Sequence, residues 1–291
     1  MTRWITRFAA AAAFAAFATA AQAADTVRLA VTDIVGLEML QAEFGAFRDT
    51  LIEATGYDIE FLPVNSRTAA VEALNAEQVD FVLTGPAEYV VINKRTNATP
   101  VIGFSRPDYF SGIIVMADSD YNVPADLIGQ KVAFGDIGST SNHLAPAQVL
   151  ADYGVALDDI EVIHTSRNIA WESLKRGDVA AIGMNYGKFV AIRAGETAFE
   201  PGAFKVIGRG PDLPNDVLVA GTHVDPAVVE ALRTAFVEHS DELVAAILTG
   251  EDNQKYAGMK FIAEVDDSDY DYVRAAYATI GYPEYAEFVG N

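Results

Sequence analysis

The chain has 291 residues, of which 51% are hydrophobic, and its 41 acidic and 20 basic side chains give a net charge of −21. So acidic a surface repels nucleic acid and anionic lipid, and neither is expected as a partner. Cysteine is absent, which excludes disulfide frameworks and thiolate metal sites, so a packed apolar core must supply the stability.

The first 23 residues have the pattern of a secretory signal peptide. Arg3 and Arg7 precede a short run rich in alanine and phenylalanine, and Ala21-Gln22-Ala23 supplies the small residues of a cleavage site. The alternative, a membrane anchor, would need a longer and more apolar run. We expect a periplasmic protein, cleaved near Ala23, that has lost two positive charges and carries −23.

Downstream of this segment, predicted strands alternate with predicted helices. Three apolar runs predict strands: Val27–Val31, Ile59–Leu62 and Val79–Leu83. An amphipathic helix between the first two is predicted by the spacing of Met39, Phe44, Phe47 and Leu51. This alternation predicts a parallel sheet in an α/β fold, and the length allows two domains.

The chain repeats itself at an offset of 100 residues. The pattern S-R-x-x-A-x-E-x-L begins at Ser66 and again at Ser166, and 8 of the 27 positions from 66 to 92 agree. The repeat favours two similar α/β lobes, and chance agreement between generic helix–strand–helix units is the alternative.

Two further apolar runs set the expected lobe boundaries. We predict that the strand at Ser111–Met116 crosses from the first lobe to the second, and that Val217–Ala220 returns. The first lobe then comprises residues 24–112 and 219–291, the second comprises residues 113–218, and a hinge joins them. The helix-rich tail from Pro226 onward is expected to pack on the first lobe.

The segment between a predicted strand and a predicted helix at residues 134–146 carries the strongest indication of a site. A loop with glycines leads to Ser139, Thr140 and Ser141, at a place where a helix start offers free N–H groups and a positive dipole to an anion. One hydroxyl would suffice for a helix cap, which is the alternative, so three in a row favour an anion site. His143 is a candidate contact in the same segment.

A second helix start follows the strand that ends near Thr84. Pro86 suits the first helical position, and open α/β sheets bind ligands beyond the carboxyl ends of their strands. Tyr89, one turn further on, has the O–H group to donate to a bound oxygen. Packing as a half-buried aromatic residue is an equal alternative, since Phe189 occupies the repeat position.

Arg67 and Arg167 lie in matching first helical turns of the two repeats. A cation there opposes the helix dipole, typically by about 0.3–1 kcal/mol, so its recurrence suggests an anion nearby. We predict that the two guanidinium groups grip one oxyanion across the cleft. The alternative is that each arginine pairs with a surface carboxylate.

Indications of catalysis or metal binding are weak. The four histidines show no HExxH spacing, Gly-x-Ser-x-Gly is absent, and Asp266–Asp269 resembles a calcium loop only in its acidity. We expect no cofactor, no metal and no enzymatic activity. An enzyme acting on a phosphorylated metabolite is the alternative from a different class.

These motifs resemble those of the substrate-binding proteins of phosphonate, phosphite and phosphate ABC transporters over nearly all of the mature chain. The resemblance rests on Gly85-Pro86-x-x-Tyr89 after Val79-Asp80, on the segment 126–134, and most specifically on Gly138-Ser139-Thr140-Ser141 with Pro146. It implies a type II periplasmic-binding fold of two Rossmann-like lobes joined by a hinge. It also implies that Tyr89, Ser139, Thr140 and Ser141 contact the phosphorus oxygens.

The chain departs from the family pattern at several positions. Asn142 stands where the family turn usually has glycine, Arg67 and Arg167 stand where a tyrosine and a histidine are expected, and Asn185 stands where an acid often lies. An acid at such a position can pair with a ligand amine. We therefore predict that a dianion binds better than 2-aminoethylphosphonate.

The resemblance implies a monomer that captures a phosphorus oxyanion between its lobes and delivers it to the membrane permease of an ABC importer. Phosphonate, phosphite and phosphate all stay open as the ligand. A ligand-sensing partner of a membrane histidine kinase or chemoreceptor is the alternative within binding proteins, because the same closing lobes serve both roles.

Overall fold

The computed structural model describes residues 26–32 and 34–285, apart from the side chain of Arg67. The predicted signal peptide and its cleavage site near Ala23 lie outside these residues. Within the part of the chain that is described, no helix has both the length and the apolar content of a membrane span.

Strands and helices alternate along most of the described residues. The strands are β1 (Thr26–Val31), β2 (Asp58–Phe61), β3 (Phe81–Thr84), β4 (Thr99–Phe104), β5 (Phe110–Met116), β6 (Lys131–Phe134), β7 (Glu161–His164), β8 (Ala181–Asn185), β9 (Phe204–Asp212), β10 (Asp216–Ala220) and β11 (Phe261–Ile262). The helices are α1 (Leu37–Thr55), α2 (Arg67–Asn75), α3 (Pro86–Thr96), α4 (Ala145–Asp152), α5 (Arg167–Arg176), α6 (Tyr186–Ala194), α7 (Pro226–Glu238), α8 (Ser240–Ile247) and α9 (Asp271–Thr279).

The strands form two mixed sheets with the same core connectivity. The first has the order β11-β4-β10-β3-β1-β2 and the second the order β7-β6-β8-β5-β9. In the first sheet β2, β1 and β3 are parallel and β10 is antiparallel to β3, and β7, β6, β8 and β5 repeat this arrangement in the second. The repeated segments form α2–β3–α3 and α5–β8–α6. The predicted α/β fold with two similar lobes is therefore confirmed.

Helix α1 shows how the first lobe builds its core. Its buried apolar side chains are Leu40, Phe44, Phe47 and Leu51, whose spacing of three and four residues puts them on one face. Met39 was predicted to belong to this face and is instead 46% exposed. Leu40 takes its place because it lies four residues before Phe44 and so shares the face of that residue.

The chain changes sheet in two short segments, residues 105–109 between β4 and β5 and residues 213–215 between β9 and β10. The predicted lobe boundaries at 112/113 and 218/219 therefore fall inside β5 and β10, each of which lies wholly in one sheet. Both strands are buried along almost their whole length, because layers cover both faces of the sheets. An apolar run alone does not reveal to which sheet a strand belongs.

The tail contacts both lobes. Helices α7 and α8 pack on α1 in the first lobe, as expected. Helix α9 lies against both α3 and α4, and the Tyr277 hydroxyl donates to the Ala87 carbonyl at 3.1 Å while the Tyr272 hydroxyl donates to Asp152 Oδ2 at 2.9 Å. The expectation that the whole tail packs on the first lobe thus does not hold for α9.

Candidate functional site

A cavity of about 290 Å³ lies between the carboxyl ends of the two sheets. Its first wall comes from the ends of β1 and β3 and the start of α3, and its second wall from residues 139–142, which follow β6. The connection that carries Arg106 and Tyr109, together with the tail segment 252–256, completes the lining. This is the place where open α/β sheets bind ligands.

The second wall is a tight turn that leads into a helix. Gly138 has a φ of +87°, a left-handed conformation that favours glycine. From Thr140 to Leu144 the backbone forms one turn of π-helix, which continues directly into α4. The first N–H groups of a helix have no acceptor within it, so this turn presents backbone donors beside its hydroxyl groups.

The two helix starts singled out from the sequence meet across the cavity. The Ala87 N–H group, in the first turn of α3, donates to Thr140 Oγ1 at 3.1 Å. In the first lobe the Thr32 hydroxyl donates to Thr84 Oγ1 at 3.2 Å, and both side chains line the cavity. Hydroxyl groups from both lobes therefore converge on one space.

The cavity also contains a buried charged cluster around Asp216, which is 2% exposed. Its Oδ2 atom accepts a hydrogen bond of 2.6 Å from the Tyr256 hydroxyl and lies 3.7 Å from Lys255 Nζ. Arg106 Nη1 lies 3.3 Å from Asp216 Oδ1, and its guanidinium stacks on the Tyr109 ring at 3.6 Å. The tyrosine makes the shortest of these bonds, and both cations face the cavity.

Burial, followed by the charge of Asp216, raises the pKa of the Tyr256 hydroxyl, which stays protonated and so remains a donor. Arg106 and Lys255 each carry several N–H donors and line the cavity, so they can offer charge-assisted hydrogen bonds to an anion. Glu88 and Asp252 also line the cavity. Among the described residues, the first-lobe wall thus combines two cations with three carboxylates.

A carboxylate in α1 holds the tail segment in place. Glu43 is 6% exposed, and its Oε2 atom accepts a hydrogen bond of 2.9 Å from the Asp252 N–H group. The Asn253 side-chain amide donates to the Glu43 carbonyl at 2.8 Å. These two bonds fix the start of the segment that carries Lys255 and Tyr256.

Sequence reasoning missed Arg106, Asp216, Lys255 and Tyr256. Arg106 follows β4 in the connection between the sheets, and a cation at the carboxyl end of a strand was a usable signal. The tail residues carried no such signal, because a distant segment brings them to the cavity.

The structure brings three of the predicted residues together at the cavity: Ser139, Thr140 and Ser141. Ser139 Oγ accepts a hydrogen bond of 3.1 Å from the Asn142 side-chain amide, and the Ser111 hydroxyl donates to the Ser141 carbonyl at 2.7 Å. The turn is therefore braced by hydrogen bonds that do not use the hydroxyl protons of Ser139 and Ser141.

His143 lies behind this turn and is 5% exposed. Its Nδ1 atom accepts a hydrogen bond of 3.0 Å from the Gly138 N–H group, and its ring meets that of His164 edge to face at 4.5 Å. Burial, and then the neighbouring His164, lower the pKa of His143 to about 4. The structure gives His143 the role of a neutral acceptor that shapes the turn, and does not place it in the cavity lining.

Tyr89 is also placed away from the cavity. Its side chain is fully buried, its ring lies 4.1 Å from that of Tyr270, and its hydroxyl donates to Asp267 Oδ1 at 2.8 Å. Burial and the hydrogen bond to Asp267 raise the pKa of this hydroxyl. The sequence left two roles open for Tyr89, ligand contact and packing. The structure shows packing, because the side chain points into the lobe.

The arginine clamp predicted at Arg67 and Arg167 stays a prediction, because the described atoms include only one of its two side chains. Arg67 opens α2, and its side chain lies outside the described atoms. Arg167 is exposed and lines a separate cavity of about 240 Å³ that shares only Asn142 with the main one. Asn185 caps α6 by accepting from the Lys188 N–H group at 3.0 Å, and it lines a chamber that adjoins the main cavity.

The comparisons with known proteins decide the family. The model of the phosphonate ABC transporter periplasmic substrate-binding protein family matches residues 37–270, most of the chain. The chain belongs to this family. As a member it is a solute-binding component of an ABC importer that acts outside the cytoplasm, and its family is one of binding proteins, not of enzymes.

Individual proteins resemble the chain in sequence or in fold. The phosphate-import protein PhnD of Mycolicibacterium smegmatis is 27% identical over 236 residues, which cover 75% of this chain and 73% of the relative. PhnD1 of Prochlorococcus marinus, solved in complex with methylphosphonate, shows a TM-score of 0.60 at 17% identity over 89% of this chain and 99% of that one. A Xanthomonas citri protein bound to ATP shows a TM-score of 0.69 at 16% identity over 88% and 97%.

At such low identities the solved structures establish the fold alone. They show that this member of the phosphonate-binding family has the type II periplasmic-binding fold that the sequence motifs implied. Among the described residues, no three acidic or histidine side chains come together as metal ligands would.

Proposed function

We propose that the cavity between the sheets binds the phosphorus oxyanion that this protein delivers to its importer. The observation that carries the proposal is the convergence of three neutral hydroxyl residues of the second lobe, Ser139, Thr140 and Ser141, with Arg106 and Lys255 in one cavity. Tetrahedral oxyanions need several donors at once, and these residues supply both directional hydrogen bonds and countercharge.

The hydroxyl groups and first N–H groups of the second-lobe turn would bind the oxygens directly. Thr140 accepts from Ala87 and can still donate its own proton, so one residue links the two lobes and a ligand. Thr84, at the end of β3, would supply a donor from the first lobe. Expulsion of water from the closed cavity strengthens each of these bonds.

Countercharge would come from Arg106 and Lys255 in place of the clamp predicted at Arg67 and Arg167. The preference for a dianion over 2-aminoethylphosphonate stays a prediction and now depends on these two cations. Asp216 limits this preference, because it contacts both cations and offsets part of their charge.

We also propose that the two lobes close on the ligand by bending residues 105–109 and 213–215. These two segments join the sheets, and the first of them borders the cavity through Arg106 and Tyr109. The closed form would be the one that the membrane permease recognises. The proposal includes a monomeric protein and removal of the signal peptide near Ala23.

The test is isothermal titration calorimetry of the purified mature chain with methylphosphonate, phosphate, phosphite and methanesulfonate. We expect one of the phosphorus oxyanions to bind, and to raise the unfolding free energy by about 2.7 kcal/mol when present at roughly 100 times its Kd. Failure of all three phosphorus oxyanions, or tighter binding of methanesulfonate, would overturn the proposal.

A further inference from the structure

A second chamber of about 400 Å³ adjoins the proposed oxyanion cavity. The two spaces share Arg106, Tyr109, Asp252 and Lys255, so a ligand bound in one faces the other. A small ligand such as methylphosphonate would occupy the inner cavity alone. The outer chamber is therefore space for a further part of a larger ligand.

The second lobe contributes an unpaired cation to the outer chamber. Lys188 lines it from the first turn of α6, and its ammonium group makes no hydrogen bond or ion pair with any described residue. Arg167 likewise has no such partner within the described part of the chain. Both cations keep their donors available even though the chain has twice as many acidic as basic side chains.

The cations of the cleft lie near enough to affect one another. Partial desolvation lowers the pKa of Lys188, and the charges of Arg167, Arg106 and Lys255 lower it further, while Asp252 opposes them. Apart from Asp252, the charges that act most strongly on Lys188 are therefore positive. An anionic group placed next to Lys188 would relieve this repulsion between the cations.

We propose, on the basis of the oxyanion function above, that the outer chamber binds a second anionic group of the ligand, with Lys188 as its principal contact. The substrate class is then an organophosphorus anion that carries an anionic tail, of which a phosphonocarboxylate is the simplest example. The phosphorus group occupies the inner cavity, and the tail passes Arg106 to reach Lys188.

Three carboxylates that also line the chamber act against this arrangement. Asp108, Glu251 and Asp252 line the chamber and are exposed to solvent, and none forms an ion pair with Lys188. Water screens these exposed carboxylates and the exposed Lys188 alike. The balance then depends on Arg106 and Lys255, whose side chains are only 14% and 19% exposed and therefore attract an anionic tail more strongly. If they dominated instead, the chamber would select an amine.

The experiment is calorimetry with five ligands: methylphosphonate, n-propylphosphonate, 2-aminoethylphosphonate, phosphonoacetate and the longer carboxylate 3-phosphonopropionate. We expect a carboxylated phosphonate to bind about three- to tenfold more tightly than n-propylphosphonate. Lys188→Gln should remove most of that advantage. Lys131→Gln, at the far end of β6 where Lys131 pairs with Glu161, is the matched control and should preserve it.

The outcomes separate the two proposals. Binding of methylphosphonate with no advantage for either carboxylate, a preference for the amine, or an advantage unchanged in Lys188→Gln overturns the anionic-tail proposal and leaves the oxyanion function intact. Binding of none of these ligands, nor of phosphate or phosphite, overturns both.

Discussion

The two walls of the cavity differ in how they meet an anion. The second-lobe wall is neutral and consists of the hydroxyl and amide groups of residues 139–142. The first-lobe wall is charged, with Arg106 and Lys255 arranged around the buried Asp216. The second-lobe wall therefore supplies mainly directional hydrogen bonds to an anion, and the first-lobe wall supplies mainly countercharge.

This difference follows from the cost of burying each kind of group. Neutral donors can satisfy one another when no ligand is bound, as Thr140 does with Ala87 and Ser139 with Asn142. A buried charge needs an opposite charge, and Asp216 provides one for both cations. On the first-lobe wall, a ligand competes with Asp216 for the two cations. On the second-lobe wall, it adds hydrogen bonds to the turn at residues 139–142, which is already formed.

The largest effect is expected from removing charge on the first-lobe wall. Arg106→Gln should weaken binding of the phosphorus oxyanion about 100-fold, because a charge-assisted hydrogen bond is lost and Asp216 is left with less compensation. Calorimetry measures the change. Arg95→Gln, which breaks a surface ion pair with Glu72, is the control and should bind like wild type.

Because Arg106→Gln also disturbs Asp216, its folding must be checked. The double variant Arg106→Gln/Asp216→Asn removes the uncompensated carboxylate and should recover thermal stability without recovering affinity. Recovery of both would mean that Arg106 acts only through Asp216 and does not contact the ligand.

A smaller loss is expected on the neutral wall. Thr140→Val keeps the shape of the side chain and removes its hydroxyl, so the affinity should fall about tenfold, as for the loss of one hydrogen bond to a charged partner. Thr50→Val, in α1, where the Thr50 hydroxyl bonds only the carbonyl of Ala46, is the matched control. Equal affinities of the two variants would remove Thr140 from the site.

His143, which lies behind the neutral wall, should make the fold less stable in acid. The pKa of His143 is near 4 in the folded protein and near 6.5 in the unfolded chain. As the pH falls, the unfolded chain therefore binds a proton at this histidine before the folded protein does. The contribution of His143 to the stability of the fold is complete above pH 6.5 and declines as the pH falls toward 4. We expect a loss of about 1–2 kcal/mol between pH 6.5 and pH 5 from this residue. Chemical denaturation of wild type and His143→Asn measures it, and identical slopes in this window would contradict the assignment.

The smallest effect is expected behind the charged wall. Glu43→Ala frees the Asp252 N–H group and loosens the segment that carries Lys255, so affinity should fall about threefold. Glu43→Gln retains a hydrogen-bond acceptor for the Asp252 N–H group and should therefore keep most of the wild-type affinity. Glu53→Ala, an exposed position in the same helix, is the control, and a loss of equal size there would argue against positioning by Glu43.

The same contrast explains what the sequence could predict. The neutral wall is a continuous segment, so the three hydroxyl residues before α4 were visible as a motif, and the repeat at Ser66 and Ser166 predicted the two matching lobes. The charged wall joins Arg106, Asp216 and Lys255, which are distant in sequence, and no local pattern links them. The arginine clamp was predicted at Arg67 and Arg167 because both belong to a short repeated pattern that is visible in the sequence alone.

Burial accounts for the remaining differences. Tyr89 carries the motif of a ligand contact, yet its hydroxyl is engaged by Asp267, some 178 residues away along the chain. A tyrosine that packs inward and one that points into a cleft follow the same helical spacing. Only the position of Asp267, set by the tail, distinguishes them.

The central claim is that one phosphorus oxyanion lies between the neutral turn and the cations of the opposite wall. A crystal structure of the mature chain grown with methylphosphonate tests it most directly. The account predicts phosphonate oxygens at about 2.6–3.0 Å from Thr140 Oγ1 and from a guanidinium nitrogen of Arg106. A phosphonate bound beside Tyr89 or Arg167, with neither Thr140 nor Arg106 in contact, would contradict it.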